Sequence, residues 1–383
     1  MLTAGIICEY NPFHLGHRKQ FMQIREALGE DTGIVCLMSG NFVQRGAPAV
    51  FDKTRRAEAA LRSGADLVLE LPTPVCLSSA EGFAAGGVEI LGKFCDFLAF
   101  GCETGDESSL YRTAETLLSP AFSGKLKESL SRGVSFPAAR QAALESMGVE
   151  ADLLTLPNDI LAVEYCKAIL SQGSAMKPLP LRREGDYRSL LPDRENPSAA
   201  FLRQRIRRGE GFLEYIPEEA ASCFPLSEVH TLEAGERAVL ARLRTMENRD
   251  FEALPYGSEG LWRRLMRCCR ENGSLESILT AAKTKRYTRS RLDRMVMCAY
   301  LGLTKELLAA PVPYVRVLGF RERGREILSG AKKVLPLRNV GSPGEGSYYA
   351  LEKRWEDLYG LFRVADVTPP GEETRRRVVY LHD

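Results

Sequence analysis

The chain has 383 residues, of which 44% are hydrophobic and 27% charged, and its formal net charge is +2. That length allows two domains, and the composition is that of a globular protein rather than a disordered or fibrous one. The near-neutral balance excludes a uniformly basic surface, so any nucleic-acid site has to be a local patch, and no apolar run reaches transmembrane length.

The ten cysteines form no Cys-x-x-Cys pair, and the adjacent Cys268-Cys269 has no zinc spacing. The start of the chain enters a strand with no basic n-region or cleavage site. A cytoplasmic protein with reduced thiols is the expectation.

Ala4 to Cys8 is an apolar run that reads as a buried strand. Asn11-Pro12 marks a turn, and a helix follows from about Arg18 to Leu28. A strand, a turn and a helix N-terminus present backbone N–H groups to phosphate. Two of the chain's four histidines, His14 and His17, flank Gly16 at this junction. Gly16 permits close approach of a ligand, and the imidazoles can donate to phosphate oxygens as charge builds on a leaving pyrophosphate. A solvated turn pair is the plain alternative.

Gly33 to Met38 reads as the second strand, with Ser39-Gly40-Asn41 at its carboxyl end, and Asp52 to Leu61 as a helix. Ala65 to Leu71 and Phe97 to Phe100 read as further strands with a helix, Ser79 to Leu91, between them. Strands alternating with helices imply a parallel sheet with helices on both faces and ligands beyond the carboxyl ends of its strands. Ser108 to Met147 reads as helical with a break near Ser131 to Pro137, Ile160 to Leu170 as a helix, and Pro178 to Arg182 as a strand. Composition shifts at Gly209-Glu210-Gly211, which places a boundary between residues 1–208 and a mainly helical 209–383.

Several polar residues stand where chemistry is possible. Ser198 before Arg203 opens a basic helix and suits an anion. Lys53 and Arg55 could neutralise phosphate charge, and Glu103, Asn158 and Arg183 lie at element junctions. The most basic stretch runs from Lys283 to Arg294, with Lys285, Arg286, Arg289 and Arg291 around Tyr287. Thr288 can cap a helix whose apolar face is Leu292, Met295, Val296, Ala299 and Leu303. Cations at a helix start oppose the dipole, which points to a polyanionic partner, and Tyr287 could stack on a base.

His-x-Gly-His after a first strand resembles the nucleotidylyltransferase superfamily. The longer stretches Gly5 to His17, Ser39 to Gly46, Asp52-Lys53, Gly64 to Pro72, Ser79-Ala80-Glu81, Phe100-Gly101, Pro157-Asn158-Asp159, Ser198-Ala199 with Arg203, Thr284 to Thr288 and Tyr314 to Phe320 resemble one family within it. That family is the bacterial tRNA(Met) cytidine acetate ligases, and the likeness covers nearly the whole chain. It implies an α/β fold, a Rossmann-like parallel sheet followed by a mainly helical tRNA-binding part. It also implies an ATP-dependent enzyme that activates acetate as acetyl-adenylate and acetylates N4 of the wobble cytidine of elongator tRNA(Met).

Carried over by position, the resemblance implies an ATP site built from Ile7-Cys8-Glu9-Tyr10-Asn11-Pro12-Phe13-His14-Leu15-Gly16-His17-Arg18-Lys19-Gln20, Gly101, Asn158 and Arg183. Ser198 and Arg203 would hold the triphosphate, and His14, His17 and Lys53 would serve the chemistry. Magnesium is expected with the phosphates. Two departures stand out: Cys102 replaces an expected serine, and Glu184-Gly185-Asp186-Tyr187 is one residue short of the expected glycine-rich loop. The shorter loop leaves Arg182 and Arg183 as alternatives for one ATP contact. Rival readings are a small-molecule adenylyltransferase, a tRNA-binding protein with a degenerate nucleotide site, and a class I aminoacyl-tRNA synthetase.

Overall fold

The computed structural model describes residues 1–134, 136–149, 151–182 and 196–382. Ten strands occur among them: β1 Thr3–Cys8, β2 Gly33–Ser39, β3 Phe42–Val43, β4 Ala47–Pro48, β5 Leu67–Leu71, β6 Phe97–Cys102, β7 Lys177–Arg182, β8 Val315–Phe320, β9 Leu337–Asn339 and β10 Val379–Tyr380. Eight form one sheet in the order β10-β8-β5-β2-β1-β6-β7, with β9 paired to β8. β3 and β4 form a separate antiparallel hairpin.

β2 explains why the sheet is a continuous apolar layer. All seven of its residues are buried. Val35 and Leu37 face the core under the helices Ala80–Leu91 and Pro157–Gln172. Ile34, Cys36 and Met38 face the opposite core, against Phe21, Ile24, Ala57 and Leu202. A strand covered on both faces has no polar side to alternate with, as expected of parallel sheets in α/β proteins. β1 pairs in parallel with both β2 and β6, so its carboxyl end lies in the middle of the sheet edge.

The part after Gly209 is mainly helical, with its own core of Leu243, Leu265, Ile278, Leu292, Met295 and Phe362. It also returns three strands to the sheet. β8 runs antiparallel to β5 with a register shift at Val68/Leu69, and β9 and β10 extend the edge beyond it. The helical core is welded to the α/β part by Phe42 and Leu77, which it buries.

Candidate active site

β1 ends at Cys8, and the chain turns through a cis Asn11–Pro12 peptide into the helix Leu15–Leu28. His14 is the N-cap of that helix, in extended conformation at φ −151° and ψ 173°. Its Nδ1 accepts from Gly16 N at 3.2 Å, and Nδ1 of His17 accepts from His14 N at 3.2 Å. The two rings stack at 3.7 Å. This reciprocal capping box uses two histidines where Ser and Glu are usual. With Nδ1 accepting, each neutral ring is an Nε2–H donor. A Cβ on residue 16 would stand 3.1 Å from the His14 ring, so glycine leaves the ring in place where a larger residue would push it by a few tenths of an ångström.

A cleft of about 610 Å³ opens over the carboxyl ends of β1 and β6. Its near wall holds Ile7, Cys8, Glu9, Tyr10, Asn11, His17, Gln20, Gly101, Asn158 and Arg203. Its far wall holds Arg45, Gly46, His230, Glu276, Arg289 and Asp293. A smaller hollow of about 70 Å³ continues past His17 and Gly101 to Gly16, Lys19, Arg182 and Asn196. The structure thus brings together most of the residues expected at an ATP site.

The remaining expected residues have other places. Phe13 and Tyr10 are core side chains, packed edge-on at 4.9 Å, so Tyr10 offers the cleft its backbone. Pro12 is buried at the turn, and His14 is 1% exposed and stands behind His17. Leu15 is half-buried, and Arg18 is paired at 3.5 Å with Glu219. The Ser198 hydroxyl accepts from Phe201 N at 3.1 Å as an ordinary N-cap. Arg203 donates to Asn11 O at 2.9 Å, which braces the turn before His14. Arg183 and the loop at 184–187 lie outside the described residues. Burial pushes the Cys102 thiol up to about 11.

Two groups position the segments that border the cleft. Arg56 is fully buried and donates to Phe51 O at 2.8 Å, Glu9 O at 2.7 Å, Ser39 O at 3.0 Å and the Gly40 carbonyl. One guanidinium therefore fixes the ends of β1 and β2 relative to each other. Glu103 and Asp159 interlock: Glu103 N donates to Asp159 Oδ1 at 2.8 Å, and Asp159 N to Glu103 Oε2 at 3.0 Å. Asn158 Nδ2 joins at 2.8 Å and is thereby held beside Gly101.

Lys53 does not face the cleft. Its ammonium is buried 2.9 Å from Glu373, 3.0 Å from Glu70 and 3.5 Å from Glu356, beside a separate small cavity. Burial alone would lower its pKa, but the three carboxylates outweigh burial and hold it well above the ordinary lysine value. Arg376 ties Asp52 to Glu356, and Arg316 meets Glu352 at 2.7 Å. Burial pushes Glu70 up to about 7 despite Lys53. A carboxyl raised above its unfolded value of about 4.3 gives stability that is full below that pH and is lost as pH rises to about 7. Glu70→Gln should flatten the fall of unfolding free energy between pH 5 and 7.5 (about the titration window). An unchanged slope in urea titrations would remove Glu70 as its source.

The basic run is largely engaged within the protein. Lys283 and Lys285 are exposed, and Arg286 is exposed but pairs with Glu259 at 3.0 Å. Arg289 binds Glu276 at 2.8 and 2.7 Å and Asp293 at 2.8 Å. Arg291 donates to Tyr256 O at 2.7 Å. Tyr287 corrects the expected stacking role: it is 8% exposed, packs in the helical core and donates to Glu259 O at 2.7 Å. Thr288 caps the following helix as expected, accepting from Arg291 N at 3.4 Å.

Residues 1–367 match the HIGH Nucleotidyl Transferase family model. The chain is 36% identical over 355 residues to the tRNA(Met) cytidine acetate ligase of Clostridium perfringens, covering 87% of this chain and 88% of the relative. It is 37% identical over 381 residues to the enzyme of that name from Caldicellulosiruptor saccharolyticus, covering 94% of each. Among solved structures it is similar to Thermotoga maritima TmcAL, in the apo form (TM-score 0.91, 30% identity, 100% of both chains) and with alpha-thio ATP bound (TM-score 0.89, 31% identity, 100% of both chains). With the paired histidines at the first strand's end and this likeness over its whole length, the chain belongs to the tRNA(Met) cytidine acetate ligase family, within the HIGH nucleotidyl transferases.

Proposed function

We propose that this chain is an ATP-dependent ligase that makes acetyl-adenylate from acetate and transfers the acetyl group to N4 of the wobble cytidine of elongator tRNA(Met). The observation that carries the reading is the His14–His17 pair, capped and stacked at the mouth of a cleft large enough for a nucleotide.

Acetate is a poor acyl donor because its leaving group would be oxide. An acetate oxygen attacks the α-phosphate, and pyrophosphate leaves. His17, oriented by His14, donates from Nε2 to the departing phosphates, and the helix N-terminus adds its dipole. Arg203 and Lys19 border the same space and suit the triphosphate. N4 of cytidine then attacks the acetyl carbonyl, and AMP leaves. Among the described residues no three His, Cys, Asp or Glu side chains converge as a metal cage. A magnesium ion would therefore ride on the phosphates with water completing its shell, as Mg²⁺ does at many nucleotide sites.

Residues 1–208 carry the ATP chemistry in this reading, and the helices after Gly209 carry RNA contact, while β8 to β10 serve the sheet. The helical wall with Arg289 and Asp293 faces the nucleotide across the cleft, so a base splayed from a single-stranded loop can enter between them. Lys283, Lys285 and Arg286, exposed on the same helical part, suit the RNA backbone. No described helix is long and apolar enough to cross a membrane, and ATP and tRNA as substrates suit a cytoplasmic enzyme.

Acetate-dependent exchange of pyrophosphate into ATP without RNA tests the first half-reaction. Exchange that ignores acetate contradicts it. Replacing Lys285 and Arg286 together by alanine should weaken RNA binding and reduce its salt slope by roughly one to two, about one for each phosphate no longer neutralised. Unchanged affinity and slope in a filter-binding salt series would move the RNA surface elsewhere.

A further inference from the structure

The positive charge of the chain is concentrated in one segment. Residues 261–291 hold nine lysines and arginines against two glutamates, in a chain whose net charge is only +2. Part of that charge lies outside the basic run at 283–294, on the helix Leu261–Glu271, which carries four arginines and a single carboxylate, Glu271. Leu261, Leu265, Cys268 and Cys269 bury one face of this helix in the helical core. Arg263, Arg267 and Arg270 recur at the i, i+4 and i+7 spacing of one stripe, and all three are exposed.

The stripe differs from an ordinary solvated helix face, which mixes both signs and laces them into ion pairs. Among the described residues neither Arg263 nor Arg267 is held in an ion pair, whereas Arg286 and Arg289 are. Arg270 meets a neutral partner, Asn248 Oδ1 at 2.9 Å, and keeps its full charge. The Arg263 guanidinium lies over the half-buried Trp262 ring, 4.9 Å from its centroid, so it is held in place without being neutralised.

The stripe also continues the surface of the 283–286 loop. Arg264 donates to Ala281 O at 2.6 Å and to Ala282 O at 2.8 Å, which ties the helix to the residue before Lys283. Glu259, just ahead of the helix, pairs with Arg286 at 3.0 Å and accepts from the Tyr287 hydroxyl through its carbonyl. None of residues 261–271 lines the cleft, so what the stripe binds is not the nucleotide that reacts. From Arg263 to Arg270 the helix rises about 10 Å, a length that suits a run of phosphates rather than one small anion.

Resting on the function proposed above, we propose that Arg263, Arg267 and Arg270 form a second anchor for the tRNA and hold its phosphate backbone outside the nucleotide that enters the cleft. The planar fork of arginine matches phosphate oxygens in bidentate fashion. Such contacts carry no sequence information: they set affinity and orient the RNA, and the choice of base stays with the cleft.

Filter binding of elongator tRNA(Met) over a salt series tests this in the full-length protein. Arg263→Ala, Arg267→Ala and Arg270→Ala combined should weaken binding roughly 10-fold or more at about 0.1 M salt and lower the salt slope by about two to three, close to one for each phosphate no longer neutralised. The corresponding triple lysine variant keeps the charge and should recover most of the affinity and slope. A control removes equal charge elsewhere, by alanine at the exposed Lys125, Lys127 and Arg132, and its affinity should stay within about twofold of wild type. Unchanged affinity and slope in the triple alanine variant would overturn the proposal. An equal loss in the control would overturn it by making net charge the cause, and an equal loss in the lysine variant would do so by making the arginines structural. Failure of the wild-type protein to bind elongator tRNA(Met) at all would instead overturn the function on which the proposal rests.

Discussion

Replacing His17 by alanine is expected to slow acetate-dependent adenylate formation by roughly 10²–10³-fold, the scale of losing one aligned donor to a developing anion. The ring lines the cleft at the carboxyl end of β1 and is oriented by stacking on His14 at 3.7 Å. The substitution also removes the acceptor for His14 N, a 3.2 Å bond of the capping box. Loss of a cap costs about 0.5–2 kcal/mol. His17→Asn separates the two effects, because a carboxamide oxygen can accept at that position while the imidazole donor is gone. Stability should recover in His17→Asn while pyrophosphate exchange stays low. Near-normal exchange in either variant would remove His17 from the phosphate site.

Lys53→Ala is expected to lower the free energy of unfolding by about 3–5 kcal/mol, the cost of leaving buried charges uncompensated. Three carboxylates within 3.5 Å of the ammonium would lose their shared partner. Glu356 and Glu373 come from the end of the chain, so the same cluster holds that end against the helix that starts at Lys53. Urea unfolding with fluorescence of the buried Trp355 reports the loss. A change below about 1 kcal/mol would place the interaction in the range of surface pairs and deny the cluster its structural weight. The same substitution separates Lys53 from the role the sequence suggests. Its ammonium is engaged inside the protein, away from the cleft that His17 borders.

The difference between the two residues illustrates what a sequence displays. His14, Gly16 and His17 are close together in the chain, and the strand before them is short and apolar, so their pairing at a strand-to-helix junction is visible from local pattern. Thr288 as a helix cap and the first strands along the chain are visible for the same reason. Lys53 follows an N-cap aspartate, and its neighbours along the chain look solvated. The carboxylates that engage it lie at Glu70, Glu356 and Glu373, and long-range partners leave no local trace. Arg56 is hidden likewise: one guanidinium meets four carbonyls supplied by three segments. β8 is obscured because Val315 to Phe320 sits among helices. Its antiparallel pairing with β5 comes from tertiary packing, although its apolar run is a usable signal. Tyr287 reads as exposed because its neighbours are basic, whereas the ring faces the helical core and its hydroxyl has a backbone partner.

The most direct measurement is a substrate-omission series with wild-type protein, ATP, acetate and elongator tRNA(Met), followed by mass analysis of the tRNA nucleosides together with AMP and pyrophosphate release. N4-acetylcytidine formed only when all three substrates are present, with AMP and pyrophosphate in equal amounts, is the predicted result. Pyrophosphate release with unmodified tRNA would contradict the acetyl transfer and leave an adenylyltransferase acting on another acceptor.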